Sequence, residues 1–312
     1  MSAPTPHDQL IFARHLLSQT ERATLRRQAR DGELASVSRG VYLDSRTWAA
    51  MDRHERYRTR IAAVLARLDP DTVVSHASAA ALWRLPWVSA WPTKVHIVTE
   101  PAPGGRSDTD VFRHTTGVTA SHELIDGIRV TSLARTVADV ARTADFGTAV
   151  TVADAALRRQ QHPHSGIPRA APSRHELLEQ LADIPLHQGV VKARRAIEFA
   201  DGRADRPGES MSRVSIHRAR LEAPQLQERM RGQSGRAWQV DFWWPSFNVI
   251  GEFDGKWKYT DPEFMNGRTA QQVLLDEKDR EDDLRGANHG FVRWDWPVAV
   301  SPTALRARLV AA

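Results

Sequence analysis

The chain has 312 residues, 41% apolar and 26% charged, with a net charge of +5 and no cysteine. That composition suits a globular protein of about two domains and excludes a disordered tail, a disulfide miniprotein, thiolate metal sites and cysteine nucleophiles. No apolar run reaches the ~18–20 residues that span a bilayer, and Met1 to Gln9 lacks the basic-then-apolar pattern of a signal peptide, so a cytoplasmic protein without membrane contact is expected.

The basic side outnumbers the acidic by 43 to 38, a balance compatible with a nucleic-acid partner. Lysine is rare: Lys94, Lys192, Lys256, Lys258 and Lys278 are all there are. In an arginine-rich chain, the three that crowd between positions 256 and 278 mark that stretch.

His7 to Leu17 reads as a short amphipathic helix, with Leu10, Ile11, His15 and Leu16 inside. Ser18 and Glu21 have the spacing of a capping box, so a second helix is expected from Gln19 to Arg30, where Asp31-Gly32 stops it. Leu34 to Leu43 alternates around Arg39-Gly40 as a small hairpin. Helix, helix, hairpin is the order of a winged helix-turn-helix, which sets one helix in the major groove with a wing beside it. Arg26, Arg27, Arg30 and Arg39 are then the candidate DNA contacts, set against the plainer reading of a solvated helix face.

Ile61, Val64, Leu65 and Leu68 place a helix over 53–68. Ser75 to Trp83 reads as an alanine-rich helix capped by Ser75 and ended by Pro86. Val95–Val98 and Gly127–Thr131 read as strands; helices follow around Leu133–Ala141 and Val150–Leu157. His76, His96, His114 and His122 show none of the short spacings of a metal site and read as caps, strand residues or surface groups.

Three segments carry a resemblance across about 8–158: Leu25-Arg26-Arg27 with Arg39-Gly40-Val41-Tyr42; Ser75-His76-Ala77-Ser78-Ala79-Ala80-Ala81-Leu82; and Asp126 to Asp139. This region resembles the abortive-infection type IV antitoxin family (AbiEi-like). The resemblance implies a winged-helix DNA-binding head over 1–50 and an α/β body over 51–160, used for repression or as an antitoxin with a cognate toxin as partner.

Pro163, Gly166, Pro168 and Pro172 break the composition, and 161–205 is expected to be linker and helices. Ser173 with Glu176 again spaces a capping box, and Val190 to Phe199 reads as a helix.

The last segment, 206–312, carries the chemistry. Trp238, Val240, Phe242 and Trp244 alternate with Gln239, Asp241 and Trp243, the pattern of a strand with Asp241 on the less apolar face. With 245–248 as the turn and Val249–Asp254 as the return strand, 244 faces 249 and 241 faces 252. Asp241 and Glu252 would then have Cβ atoms about 5 Å apart, with Asp254 further along the same face. Such crowding calls for a proton or a cation. A hard divalent ion, Mg²⁺ or Mn²⁺, held by Asp241, Glu252 and Asp254 is the natural answer. Lys256 or Lys258 beside it would stabilise a pentavalent phosphate.

Val240-Asp241-Phe242, Glu252-Phe253-Asp254-Gly255-Lys256-Trp257-Lys258, the charged run Glu277–Arg285 and Gly290–Trp294 follow Pro207-Gly208-Glu209-Ser210 in order. This order resembles the PD-(D/E)XK nuclease superfamily, in its branch related to very-short-patch-repair (Vsr-like) endonucleases. The resemblance implies a restriction-endonuclease-like fold and metal-dependent cleavage of DNA, with Glu209 as the first acid. Two positions depart from it: Asp254 stands where the superfamily's usual lysine would be, and Lys258 where the branch often has histidine. Arg280 and Arg293 are the candidate phosphate contacts and Trp257 the candidate base-stacking residue.

The expected whole is an α+β protein: a winged helix-turn-helix and α/β body joined to a nuclease-like domain. Its expected function is metal-dependent DNA cleavage in phage defence or repair. The alternative is a regulator or antitoxin whose nuclease-like domain only binds nucleic acid, and an RNA substrate stays open.

Overall fold

The computed structural model describes residues 9–99, 109–115, 121–158, 171–185, 188–255 and 269–311. The chain is α+β and divides into two compact units, Met1–Val152 with Pro163–Glu198, and Ala153–His162 with Phe199–Ala312. Among the described residues no helix is long and apolar enough to cross a membrane.

The first unit opens differently from the sequence expectation. Where a helix was expected over His7–Leu17, strand β1 (Ile11–Phe12) and one 3-10 turn (Ala13–His15) stand instead. The β-prone pair Ile11-Phe12 finds a partner far along the chain, pairing antiparallel with Tyr42 and Val41. Helix α1 (Gln19–Arg30) has the expected limits and a complete Ser18–Glu21 capping box. The hairpin of β2 (Leu34–Ser38) and β3 (Val41–Asp44) follows, with Gly40 at φ 73° in the turn. Order β1-β3-β2 makes a three-stranded sheet. Its inner residues Val37, Val41 and Leu43 share a core with Met51 and with Ala63 of helix α3 (Arg53–Leu65), which follows the short α2 (Ser45–Ala50).

The rest of the unit is built on a five-stranded sheet. Strands β4 (Val73–Val74), β5 (Val95–Thr99), β6 (Val111–Thr115), β7 (His122–Ile125) and β8 (Ile128–Thr131) lie in the order β6-β5-β4-β8-β7. Asp126 and Gly127, both with positive φ, form the two-residue turn between β7 and β8. Tyr57, Ile61 and Val64 of α3 and Ala81 of α4 (His76–Leu82) pack on Val95, Ile97 and Val111. Helices α5 (Leu133–Thr143), α6 (Phe146–Arg158), α7 (Arg174–Ala182) and α8 (Val190–Phe199) follow; the last turns of α6, from Ala153, group with the second unit.

In the second unit, helix α9 (Pro207–Arg218) leads into a four-stranded sheet of β9 (Gln225–Arg231), β10 (Ala237–Trp244), β11 (Val249–Phe253) and β12 (Gly290–Trp294), in the order β12-β11-β10-β9. Between β11 and β12 runs α10 (Ala270–Gly286), and α11 (Trp296–Ala299) and α12 (Pro302–Val310) close the chain. The β10–β11 register is the expected one, with Trp244 opposite Val249 and Phe242 opposite Gly251. β12 adds in parallel on the other side of β11, pairing Glu252 with Arg293. One core sets Phe242, Trp244, Phe253 and Trp294 against Ile216 of α9 and Leu305 of α12. A second sets Val240, Ile250 and Phe291 against Leu284 of α10.

Candidate functional site

Strand β10 breaks its alternation at Asp241. A regular strand would put Val240 and Phe242 on one face, yet Val240 packs with Leu284 and Phe242 with Ile216. Gln227, which stands opposite Asp241 in the β9–β10 register, has φ 55°, outside the strand region. The local irregularity re-aims Asp241, as bulges beside sites do. Its Oδ2 accepts a hydrogen bond from the Phe253 backbone N–H at 2.9 Å.

Glu209 meets Asp241 from α9, placed by Pro207 in the helix's first turn. The Glu209 side chain is buried, 4% exposed. Its Oε2 accepts from the Asp205 backbone N–H at 2.8 Å and from Gln227 Nε2 at 2.9 Å. Burial first, and the charge of Asp241 second, hold its carboxyl well above the usual carboxylate range; the Gln227 bond and the charges of Arg158 and Arg206 pull the other way. The buried Glu209 and the half-buried Asp241 thus act on one another as like charges.

Glu252 is also buried, at 1% exposed, but its Oε2 is engaged by the guanidinium of Arg280, from α10, and by Arg293 Nη2 at 3.3 Å. Arg293 further faces Glu281 at 3.5 Å and Glu277 at 3.8 Å; burial lowers its pKa, but Glu252 first, then Glu281, Glu277 and Asp254 hold it above its ordinary value. Arg280 also donates to the Gln239 carbonyl at 2.8 Å. The two candidate phosphate contacts therefore sit on a candidate metal ligand. Asp254 follows β11; its N–H bonds the Trp294 carbonyl at 2.8 Å, and its Oδ1 is buried with no hydrogen-bond partner among the described residues.

Lys256, Trp257 and Lys258 lie outside the described residues. Among the described residues no group of three or more His, Asp or Glu side chains is arranged to hold a metal ion. Arg26, Arg27, Arg30 and Arg39 are exposed on α1 and at the β2–β3 turn, and α1 buries only Leu25.

Two uncharacterized proteins of Mycobacterium tuberculosis, from two strains, are similar to this chain. Each is 31% identical to it over 158 residues, 50% of this chain and 55% of the relative. The chain spans about half the length of the curated relatives it matches. No family model matches it.

A second cluster, in the first unit, joins histidines that the sequence reads as caps, strand residues or surface groups. His76, His96 and His114 are far apart in the chain, but α4, β5 and β6 bring them together. His114 Nε2 lies 2.9 Å from His96 Nδ1, and the His76 and His114 rings stack at 3.4 Å. Ser75 precedes α4 as expected, yet its Oγ bonds His76 Nδ1 at 3.0 Å and makes no cap hydrogen bond to the helix backbone. Behind His76 lies the fully buried Asp139, paired with Arg135 at 3.0 Å. Burial pushes the Asp139 carboxyl up to about 6, against the pull of Arg135. It pushes His96 down to about 4 and, with the help of His96 and Arg142, His114 to about 3. His122 begins β7, on the opposite edge of the sheet from β6. The parallel β5–β6 register, in which His96 pairs with Phe112 and Val98 with His114, is the signal that would have found the cluster, and it is a tertiary fact.

Proposed function

We propose that the second unit is a Mg²⁺- or Mn²⁺-dependent nuclease acting on DNA phosphodiesters, and that α1 and the β2–β3 hairpin tether the DNA. The observation that carries the reading is the buried Glu209 carboxyl with the like charge of the half-buried Asp241 acting on it. Two like-charged carboxylates, one of them buried, favour a proton or a cation between them. The all-oxygen donor set suits a hard divalent ion. Mg²⁺ commonly takes one or two carboxylates and completes its shell with water and substrate phosphate, so three converged protein ligands are not required.

Bound there, the ion would polarise a phosphoryl oxygen and make a water more acidic. Glu209 and Asp241 would hold it, and the buried Asp254 Oδ1, which has no hydrogen-bond partner among the described residues, would accept a hydrogen bond from the water shell. Lys256 or Lys258 would offset the charge that builds on the phosphate. Arg26, Arg27, Arg30 and Arg39 would contact phosphates along the duplex.

A second reading has its own support. Glu252, a ligand in the expected metal set, is engaged by Arg280 and Arg293. Guanidinium groups in place of a metal suit a domain that binds DNA without cutting it, as a regulator or type IV antitoxin would.

Nicking of supercoiled plasmid separates the two. The nuclease reading expects nicked product with Mg²⁺ or Mn²⁺, none with EDTA, and none from Asp241→Asn. A protein that retards DNA but leaves it intact with either metal supports the binding-only reading.

A further inference from the structure

We propose that His76, His96 and His114 form a binding site for a divalent transition-metal ion of the zinc class, with Asp139 as the carboxylate that orients His76. The site lies in the first unit and is independent of the acidic pair of the second.

The bite of the site is already close. In tetrahedral zinc sites the Zn–N bond is about 2.0–2.1 Å, which sets two ligand nitrogens about 3.3 Å apart. His96 Nδ1 and His114 Nε2 stand 2.9 Å apart and share a hydrogen bond. Opening that bond by a few tenths of an ångström, with the donor ring's proton carried on its other nitrogen, seats an ion between them. They are diagonal neighbours on one face of the β5–β6 ladder, so the backbone holds the spacing.

His76 supplies the third nitrogen. Its Nδ1 is held by Ser75 Oγ at 3.0 Å and faces Asp139 Oδ2 at 3.8 Å, which leaves Nε2 for an ion. A carboxylate behind the non-ligating nitrogen is the usual outer arrangement of a zinc histidine. His76 stacks on His114, so the three nitrogens converge once the His76 ring turns out of the stack.

Three further features favour an occupant. Asp139 Oδ2 is buried without a hydrogen-bond partner among the described residues. His76 holds φ 52°, a left-handed conformation that costs a non-glycine residue of order 1 kcal/mol or more and collects at functional sites. Imidazole ligands favour zinc, copper and nickel over Mg²⁺. The charged groups facing the site are Asp139, Arg135 and Arg142. Asp139 neutralises Arg135, and the Arg142 Nε–H is turned to the Gln188 carbonyl at 3.1 Å.

The test uses the full chain without an affinity tag, carrying Asp241→Asn so that the acidic pair of the second unit takes no ion, stripped with chelator and titrated with Zn²⁺ and with Co²⁺. The expected result is about one equivalent bound, a rise in Tm with Zn²⁺, and the visible bands of tetrahedral Co²⁺. His96→Gln/His114→Gln should abolish all three. Asp139→Asn should weaken binding about 10–100-fold. Absence of Zn²⁺ and Co²⁺ binding, or binding that survives in the double histidine variant, overturns the proposal. Should that variant misfold, ring-nitrogen NMR of the wild type decides. Zn²⁺ must move the resonances of His76, His96 and His114; movement confined to other histidines overturns it.

Discussion

Glu209 makes the clearest single-residue prediction. Its folded pKa lies above the ordinary 4.5, with burial as the first cause and Asp241 as the second. Its contribution to stability is therefore full at acid pH and is lost as pH rises from about 4.5 toward the raised value. Glu209→Gln keeps an acceptor for the Asp205 and Gln227 donors and removes the charge. Thermal unfolding in EDTA should show the variant equal to wild type at acid pH and progressively more stable as pH rises. Curves that stay parallel across the range would contradict the like-charge account. Arg280 makes the second. Arg280→Met leaves Glu252 buried with Arg293 as its guanidinium partner, and denaturant unfolding should show a loss of about 1–3 kcal/mol, less than for an isolated buried pair because Arg293 remains. Adding Glu252→Met should recover most of that loss. An Arg280→Met variant as stable as wild type would show that the pair contributes nothing.

At the scale of elements, the sheet of the second unit turns on Gly251. A Cβ there would lie 2.6 Å from the Trp294 ring and 2.8 Å from that of Trp244. Gly251→Ala should cost about 1–3 kcal/mol by overpacking, measured by chemical denaturation; an unchanged midpoint would mean that the tryptophans yield freely. Elements whose cause is local could be read from sequence. The Ser18–Glu21 and Ser173–Glu176 boxes fix two helix starts within four residues of chain, and Pro245–Asn248 sets the β10–β11 register. What depended on distant partners could not. Ile11-Phe12 became a strand because Val41 and Tyr42 offer an edge. Asp241 left its expected face because the alternation of β10 breaks there. The site divides along the same line: its acids announce themselves by spacing, while the arginines on Glu252 come from α10 and β12, and the histidine cluster from three elements that only the fold assembles.

Across the whole molecule, the account joins a basic head to an acidic, buried centre in a chain of net charge +5. If α1 meets phosphates, Arg26→Gln/Arg30→Gln should weaken duplex binding at every sequence tested and flatten the slope of log K against log salt by about 0.9 for each lost contact. An unchanged slope would place the DNA elsewhere. The central claim, that Glu209 and Asp241 together hold a divalent cation, is tested most directly by calorimetric titration of the full chain with Mn²⁺ at several pH values. The account predicts binding that tightens as pH rises, since the ion must displace the Glu209 proton, and that disappears in Asp241→Asn. Absence of Mn²⁺ binding with and without DNA, or binding of equal strength in Asp241→Asn, would contradict it.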